Sequence, residues 1–523
     1  MHKRRLALPA LLLAAFAINL DTTIVNVALP TLVRELHASN SQLQWVVDAY
    51  NLVFAAFLLA AGSLSDRLGR KGMLLAGLGL FGLASAAGGL TASSGQLILA
   101  RCFMGLGAAM VFPATLSLIS NIFTDRVERA RAIGLWGATA GMAIALGPIV
   151  GGWLLERFAW PSIFFAMVPV AALGAALVAW SVPTSRDPAA PPLDRRGFAL
   201  STAAMALLIF TIIEAPDHGW GSARTIGGLV IAVALLAGFV TWERRVRAPM
   251  LDIRLFANPR FTAACGAVTV AFFTLFGFIF LITQYFQFIK GYSPLSAGVH
   301  LLPVALSVGV ASVVGTKLAV RVGTKLIVAA GLTMVAAFYV WVATATATTA
   351  YATIAAQMVL YGVGMGLTSA PATEAIMGVV STAKAGVGSA VNDATRLLGG
   401  TLGVAVIGSV YASLYGSRLA ADLPAHLPVG LTQLAHSSVG SAFGVADRLA
   451  GAGRVELAAG VRHAASNAFI HGLSAGCLVA GGVAAAGAVL AARLMPAYPT
   501  GAAQPAGEPS EATASAAPAA AAR

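Results

Sequence analysis

Along most of this chain the apolar residues neither alternate nor recur on one helical face. They continue for about 20 residues at a time, and the polar positions gather in short breaks between the runs. A helix of that length crosses the roughly 30 Å hydrocarbon core of a bilayer. Fourteen such runs can be drawn, beginning near 8–29, 46–66, 74–91, 95–118 and 132–154 and ending near 468–493. The pattern predicts an all-α polytopic membrane protein with 14 transmembrane helices.

The breaks alternate in charge. Every second one is basic: Lys3, Arg4 and Arg5; Arg67, Arg70 and Lys71; Arg126, Arg129 and Arg131; Arg186, Arg195 and Arg196; Arg244, Arg245 and Arg247; Lys317, Arg321 and Lys325. Those between hold about one basic residue apiece, at Arg34, Arg157, Arg224 and Lys290. Cytoplasmic loops carry the Lys/Arg excess, so the basic breaks face the cytoplasm, and an even number of spans places both termini there. Residues 416–467 are mixed and read as an external loop that folds back as a hairpin or short helices. Residues 494–523, rich in Ala, Pro, Gly and Ser, read as a disordered cytoplasmic tail.

Composition changes this picture little. The 523 residues are 58% hydrophobic and 10% charged, with a mean hydropathy of +0.83. A net charge of +13 could suggest nucleic acid as a partner, but the basic residues lie in the breaks and serve orientation, so no nucleic acid is expected. Cys102, Cys265 and Cys477 sit far apart within apolar runs, without metal or disulfide spacing. The eight histidines are scattered, and no G-x-x-x-x-G-K-[ST] phosphate loop is present. The expectation is a protein without cofactor, metal or catalytic constellation, and so not an enzyme.

An internal repeat organises the chain. Gly62–Leu80, "GSLSDRLGRKGMLLAGLGL", aligns with residues 316–334, "TKLAVRVGTKLIVAAGLTM", so that Gly69, Arg67 and Lys71 fall on Gly323, Arg321 and Lys325. It predicts two six-helix bundles, 1–182 and 264–493, with two helices inserted within 183–263. Duplicated bundles that rock about a midplane site are a common transporter plan.

Charges inside the runs are the candidate chemistry, because a lone charge at mid-bilayer costs about 2.5–3.5 kcal/mol by insertion scales. Asp21 lies in "LDTTIVNVALP"; it is either paired, for example with Asn26 or backbone, or protonated part of the time. Arg101 lies in "LILARCFMGLGAAMVFPA" and needs a partner or a water path. Glu374 follows Pro371 in "APATEAIMG" and either faces a cavity or caps a broken helix near the cytoplasmic face. Asp393 and Arg396 are placed at the cytoplasmic edge, paired with each other or with lipid. Asp48 reads as an exposed helix-start acid or an external relay.

With these motifs in hand, the chain resembles the major facilitator superfamily, and within it the fourteen-span drug:proton antiporters of EmrB/QacA type. "GSLSDRLGRK" resembles the signature loop between the second and third helices, with Gly62, Asp66, Arg67, Gly69 and Arg70 as a cytoplasmic gating network. "GLWGATAGMAIALGPIVGGWL" resembles the antiporter motif of the fifth helix, with Gly141, Gly147, Pro148, Gly151 and Gly152. The resemblance implies proton coupling or substrate response at Asp21, Arg101 and Glu374, in a secondary antiporter of the inner membrane. Its expected partners are lipophilic, often cationic compounds, protons and membrane lipids. A dedicated exporter of one metabolite, antibiotic or lipid fits the same motifs. A non-transporting sensor on the same fold fits the buried charges less well.

Overall fold

The computed structural model describes residues 2–36, 40–186, 194–246, 249, 251–381, 384–424, 427–437 and 439–498. Among them there are helices and turns only. In chain order the α-helices are α1 His2–Leu36, α2 Asn40–Leu68, α3 Arg70–Gly89, α4 Ser94–Ile122, α5 Arg126–Arg157, α6 Ser162–Phe165, α7 Met167–Ser181, α8 Arg195–His218 and α9 Ala223–Arg245. There follow α10 Pro259–Gln284, α11 Pro294–His300, α12 Leu302–Val322, α13 Thr324–Val342, α14 Tyr351–Val379, α15 Ala385–Asp422, α16 Val429–Ser437, α17 Val439–Gly451 and α18 Val455–Leu494.

Among the described residues, 13 helical segments are long and apolar enough to cross a membrane; the pairs α6–α7 and α11–α12 each make one span with a break, at Ala166 and Leu301. Helix α14 is 29 residues long but diluted by Gln357, Thr368, Thr373 and Glu374, all buried. It packs on α5, α10, α12 and α13, so protein rather than lipid surrounds its polar positions. Large apolar side chains such as Leu83, Val230, Val233, Leu306 and Val310 are exposed on the outside, as lipid solvation permits. This is a multi-pass membrane protein.

Two hydrophobic cores lie side by side. One joins residues between Ala7 and Val182, with Met377 and Ala385 added; the other joins residues between Phe239 and Met495. Helix α8 packs on α2, α9 and α15, beside the line between them.

The repeat is visible in backbone geometry. Gly69 and Gly323 turn their chains with φ of 107° and 93° and ψ of 122° and 144°, a region that L side chains avoid. At each turn the next residue's N–H meets a carbonyl from beyond the last helix of the same core. Arg70 N donates to Ser185 O, and Thr324 N donates to Ala497 O, both at 2.9 Å. The short strap 495–498 is further tied by the Tyr498 hydroxyl donating to Arg321 O at 3.0 Å, and Met495 is buried.

Residues 416–467 prove mostly helical. Helix α15 runs on to Asp422, α18 begins at Val455, and α16 and α17 fold between them over a small core of Leu427, Val445, Ala446, Leu449, Ala458 and Val461. The 499–523 part of the tail and the side chains of Asn26 and Asp48 lie outside the described residues.

Candidate functional site

Asp21 on α1 and Arg101 on α4, 80 residues apart, meet in the interior. The Arg101 Nη1 donates to Asp21 Oδ2 at 2.6 Å, and its Nε donates to the Val46 carbonyl on α2 at 2.9 Å. The guanidinium lies 4.3 Å from the centroid of the Tyr50 ring. Gly105, one turn beyond Arg101, makes this reach possible: a Cβ there would stand 2.5 Å from the Tyr50 carbonyl oxygen, so α2 and α4 touch backbone to backbone. Both charged side chains are essentially inaccessible, and among the described residues Asp21 Oδ1 has no hydrogen-bond partner. The arginine thus offsets the charge of the buried carboxylate.

A second buried pair corrects the sequence placement of Asp393 and Arg396 at an edge. Helix α15 starts at Ala385, so both residues lie more than a turn inside it and are buried between the cores. Their charges approach only to 3.6 Å, and among the described residues Arg396 Nη1 and Asp393 Oδ2 make no hydrogen bond. The guanidinium is enclosed by Phe112, Trp136 and Phe272, at 5.0, 4.9 and 4.4 Å from their centroids.

At the end of the molecule carrying the basic breaks, two carboxylates join the cores. Asp66 on α2 pairs with Arg70 at 2.7 Å, and accepts from the backbone N–H groups of Gly386 and Val387 at 2.9 and 3.2 Å. These are the first amides of α15, whose unpaired N–H groups and dipole favour an anion. Gly62 explains the approach, since a Cβ there would lie 2.6 Å from both Ala390 Cβ and Gly386 O. Arg67 is half-buried on the same turn. Glu374 on α14 is ringed by Arg260 at 3.5 Å, Arg129 at 3.8 Å and Arg126 at 4.0 Å. Two of these arginines come from α5 of the first core and one from α10 of the second. The Glu374 carboxylate thus lies at the end carrying the basic breaks and bridges the two cores. Arg260 in turn donates to Thr324 Oγ1 at 2.9 Å and to Pro496 O at 3.2 Å, binding the strap to this cluster.

The start of α5 is set by Asp125. Its Oδ1 accepts from the backbone N–H groups of Val127 and Glu128 at 3.0 Å, and these bonds hold its carboxyl below the ordinary carboxylate value.

Helix α5 itself forms a smooth seam. Added Cβ atoms at Gly134, Gly137 and Gly141 would meet Thr316, Ala370 and Ala305 at 2.6, 3.2 and 2.9 Å; one at Gly147 would collide with Thr23, and one at Gly152 would press on Leu295 at 3.3 Å. Pro148 lies against Gly298, and Gly151 is buried. The glycines therefore bring α5 against α1, α11, α12 and α14, where small residues allow near-contact of backbones.

Residues 11–404 match the sequence profile of the Major Facilitator Superfamily. The chain belongs to this superfamily. Among similar members is the multidrug efflux pump LfrA of Mycolicibacterium smegmatis, 36% identical over 408 residues, which cover 78% of this chain and 79% of LfrA. The multidrug resistance protein Stp of Mycobacterium tuberculosis is 36% identical, over 76% of this chain and 74% of its own. The methylenomycin A resistance protein of Streptomyces coelicolor is 35% identical, over 75% and 82%. The crystal structure of the human organic anion transporter MFSD10 (TETRAN) superposes with a TM-score of 0.64 at 13% identity, covering 93% of this chain and 99% of that one, which speaks for the facilitator fold alone.

In this facilitator the sequence-flagged residues fall into three places. Asp21 and Arg101 form one interior pair; Asp66, Arg70 and Glu374 lie together at the basic end; the α5 glycines line the seam between α5 and its neighbours. Sequence reading missed the partners of Glu374 at Arg260, Arg126 and Arg129, and the ring enclosure of Arg396. A signal for the latter was present: "NDATR" is a polar cluster among small residues immediately ahead of an apolar run.

Proposed function

We propose that this facilitator is a proton-coupled antiporter that expels lipophilic, often cationic drugs or toxic compounds across the cytoplasmic membrane, with both termini in the cytoplasm. The observation that carries the reading is the buried Asp21–Arg101 pair, with one carboxylate oxygen unpartnered among the described residues. A carboxylate so placed exchanges a proton when its surroundings become wet or its arginine withdraws. Relatives named as multidrug efflux pumps support export as the direction. Inward movement of one charge across 100 mV supplies about 2.3 kcal/mol.

The units are two bundles, residues 1–182 and 264–493, with the helices of 183–263 inserted. The contacts of Asp66 with α15 and of Glu374 with the three arginines hold the cytoplasmic end shut in the state described; breaking them opens it, giving a bistable element. Lipids bathe the exposed apolar faces. A second reading, export of one antibiotic, is favoured by relatives named for methylenomycin A resistance and for tetracenomycin C resistance and export.

The test uses energised everted vesicles, in which the pH gradient is followed while ethidium, tetraphenylphosphonium and neutral antibiotics are added. Dissipation by a compound in wild type, lost in Asp21→Asn at equal expression, is expected. An equal response in Asp21→Asn removes the coupling assignment, and a response to a single antibiotic alone selects the second reading.

A further inference from the structure

The Asp393–Arg396 pair has no part in the gating or proton chemistry above, yet it lies between the cores. Its arginine is held loosely by its own carboxylate and closely by rings. Phe112 on α4 and Trp136 on α5 belong to the first core, and Phe272 on α10 to the second. The walls are fixed: Trp136 Nε1 donates to Thr115 Oγ1 at 3.1 Å, and the two rings of Phe112 and Trp136 stand 5.1 Å apart. Asp393 Oδ1, 3.6 Å from Arg396 Nη1, accepts from Asn392 Nδ2 at 3.1 Å, while among the described residues its Oδ2 is buried without a partner. A buried, poorly hydrogen-bonded ion pair contributes little stability compared with apolar packing of the same volume. Three aromatic faces around a cation, with a carboxylate at the base, form the arrangement that recognises quaternary ammonium and similar ions.

We propose that Phe112, Trp136, Phe272 and Asp393 form the subsite for the charged head of a lipophilic cation, and that the Arg396 guanidinium occupies it as a tethered stand-in while the site is empty. The proposal rests on the cation-export reading and deepens it. An arriving substrate displaces Arg396 from the rings and takes Asp393 as its counter-charge. Because the rings come from both cores, the bound ligand spans the line along which they separate. The same rings continue toward the proton site. Phe112 stands 5.9 Å from Phe54, Phe54 stands 5.9 Å from Tyr50, and Tyr50 underlies Arg101. A ligand that shifts Phe112 therefore presses on the row that supports the Asp21–Arg101 pair.

The test is direct binding of tetraphenylphosphonium to the purified full chain in nanodiscs by titration calorimetry, beside the vesicle assay. Arg396→Gln empties the cage and leaves Asp393 without its cation, so affinity should rise about tenfold. Asp393→Asn should lower it, and the double variant should lose the gain. Trp136→Leu and Phe272→Leu, which keep Arg396, should each weaken binding severalfold, which decides the matter even where Arg396→Gln fails to fold. Equal or weaker binding in folded Arg396→Gln, or wild-type affinity in both ring variants, overturns the proposal. These outcomes separate from the efflux reading: export of ethidium by wild-type vesicles with no effect of the cage variants on binding sinks the subsite and leaves export standing. Absence of export with the affinity changes intact does the reverse.

Discussion

Asp66 lies 2.9 Å from the backbone nitrogen of Gly386, a residue 320 positions further along the chain. This contact joins the end of α2 to the first turn of α15, and so one hydrophobic core to the other. Hydrogen bonds to a charged acceptor are each worth about 1.5–3 kcal/mol. Asp66→Ala should therefore shift the closed end toward opening. A cysteine placed at Val387, with Cys102 changed to Ser, should react at least about tenfold faster with a charged maleimide from the basic side, since 1.4 kcal/mol is a factor of ten. An unchanged rate would show that Asp66 does not hold this end shut.

Glu374 lies within 4.0 Å of three guanidiniums, and the Arg260 side chain is 2% exposed. Removing one partner of a buried pair costs about 3–5 kcal/mol, because the remaining charge is left uncompensated. Glu374→Gln should loosen the start of α5 and α10, read as faster amide exchange there. Arg129→Gln in the same background should restore part of the protection by lowering the excess positive charge, a coupling that a double-mutant cycle measures. Strict additivity would argue against a shared cluster.

Gly141 and Gly147 have no room for a methyl group. A Cβ at Gly141 meets the Ala305 carbonyl at 2.9 Å, and one at Gly147 meets Thr23. Overpacking of this kind costs about 1–3 kcal/mol. Gly141→Ala and Gly147→Ala should lower the melting temperature in detergent and slow export, whereas Gly79→Ala, with nothing within 4 Å, should leave both unchanged. A melting temperature equal to wild type in all three would remove the seam as a constraint.

Asp125 anchors the helix start that presents Arg126 and Arg129 to Glu374. The backbone N–H groups of Glu128 and Val127 hold its folded-state value below the ordinary 3.8. A depressed carboxylate contributes stability that is present above its unfolded value and disappears as pH falls through the folded one. The melting difference between wild type and Asp125→Ala should thus be constant from pH 7 to about 5 and shrink below about 4. A difference that grows on acidification would reverse the sign of this assignment.

Much of the architecture is legible in the sequence, because burial in lipid forces long apolar runs and short basic breaks. The repeat was legible through one glycine, since Gly69 and Gly323 both adopt a conformation that few other residues tolerate. Side-chain partners were not. Asp21 and Arg101 could each be singled out as a costly charge, but which faces of α1 and α4 meet depends on Gly105 and on helix rotation, which no run of apolar residues encodes. Arg396 was misplaced because the apolar run begins only after it, whereas the helix begins at Ala385. Small and polar residues extend α15 inward, with its neighbours supplying the apolar environment.

The glycine face of α5 has a mechanical consequence. Gly134, Gly137 and Gly141 present backbone to α12 and α14, where larger side chains would mesh like teeth. Two surfaces without teeth can tilt against each other without first disengaging, so a seam of this kind resists tilting less than a meshed one does. Resistance to tilting there then rests on the few charged contacts at the rim, Asp66 with the start of α15 and Glu374 with its three arginines.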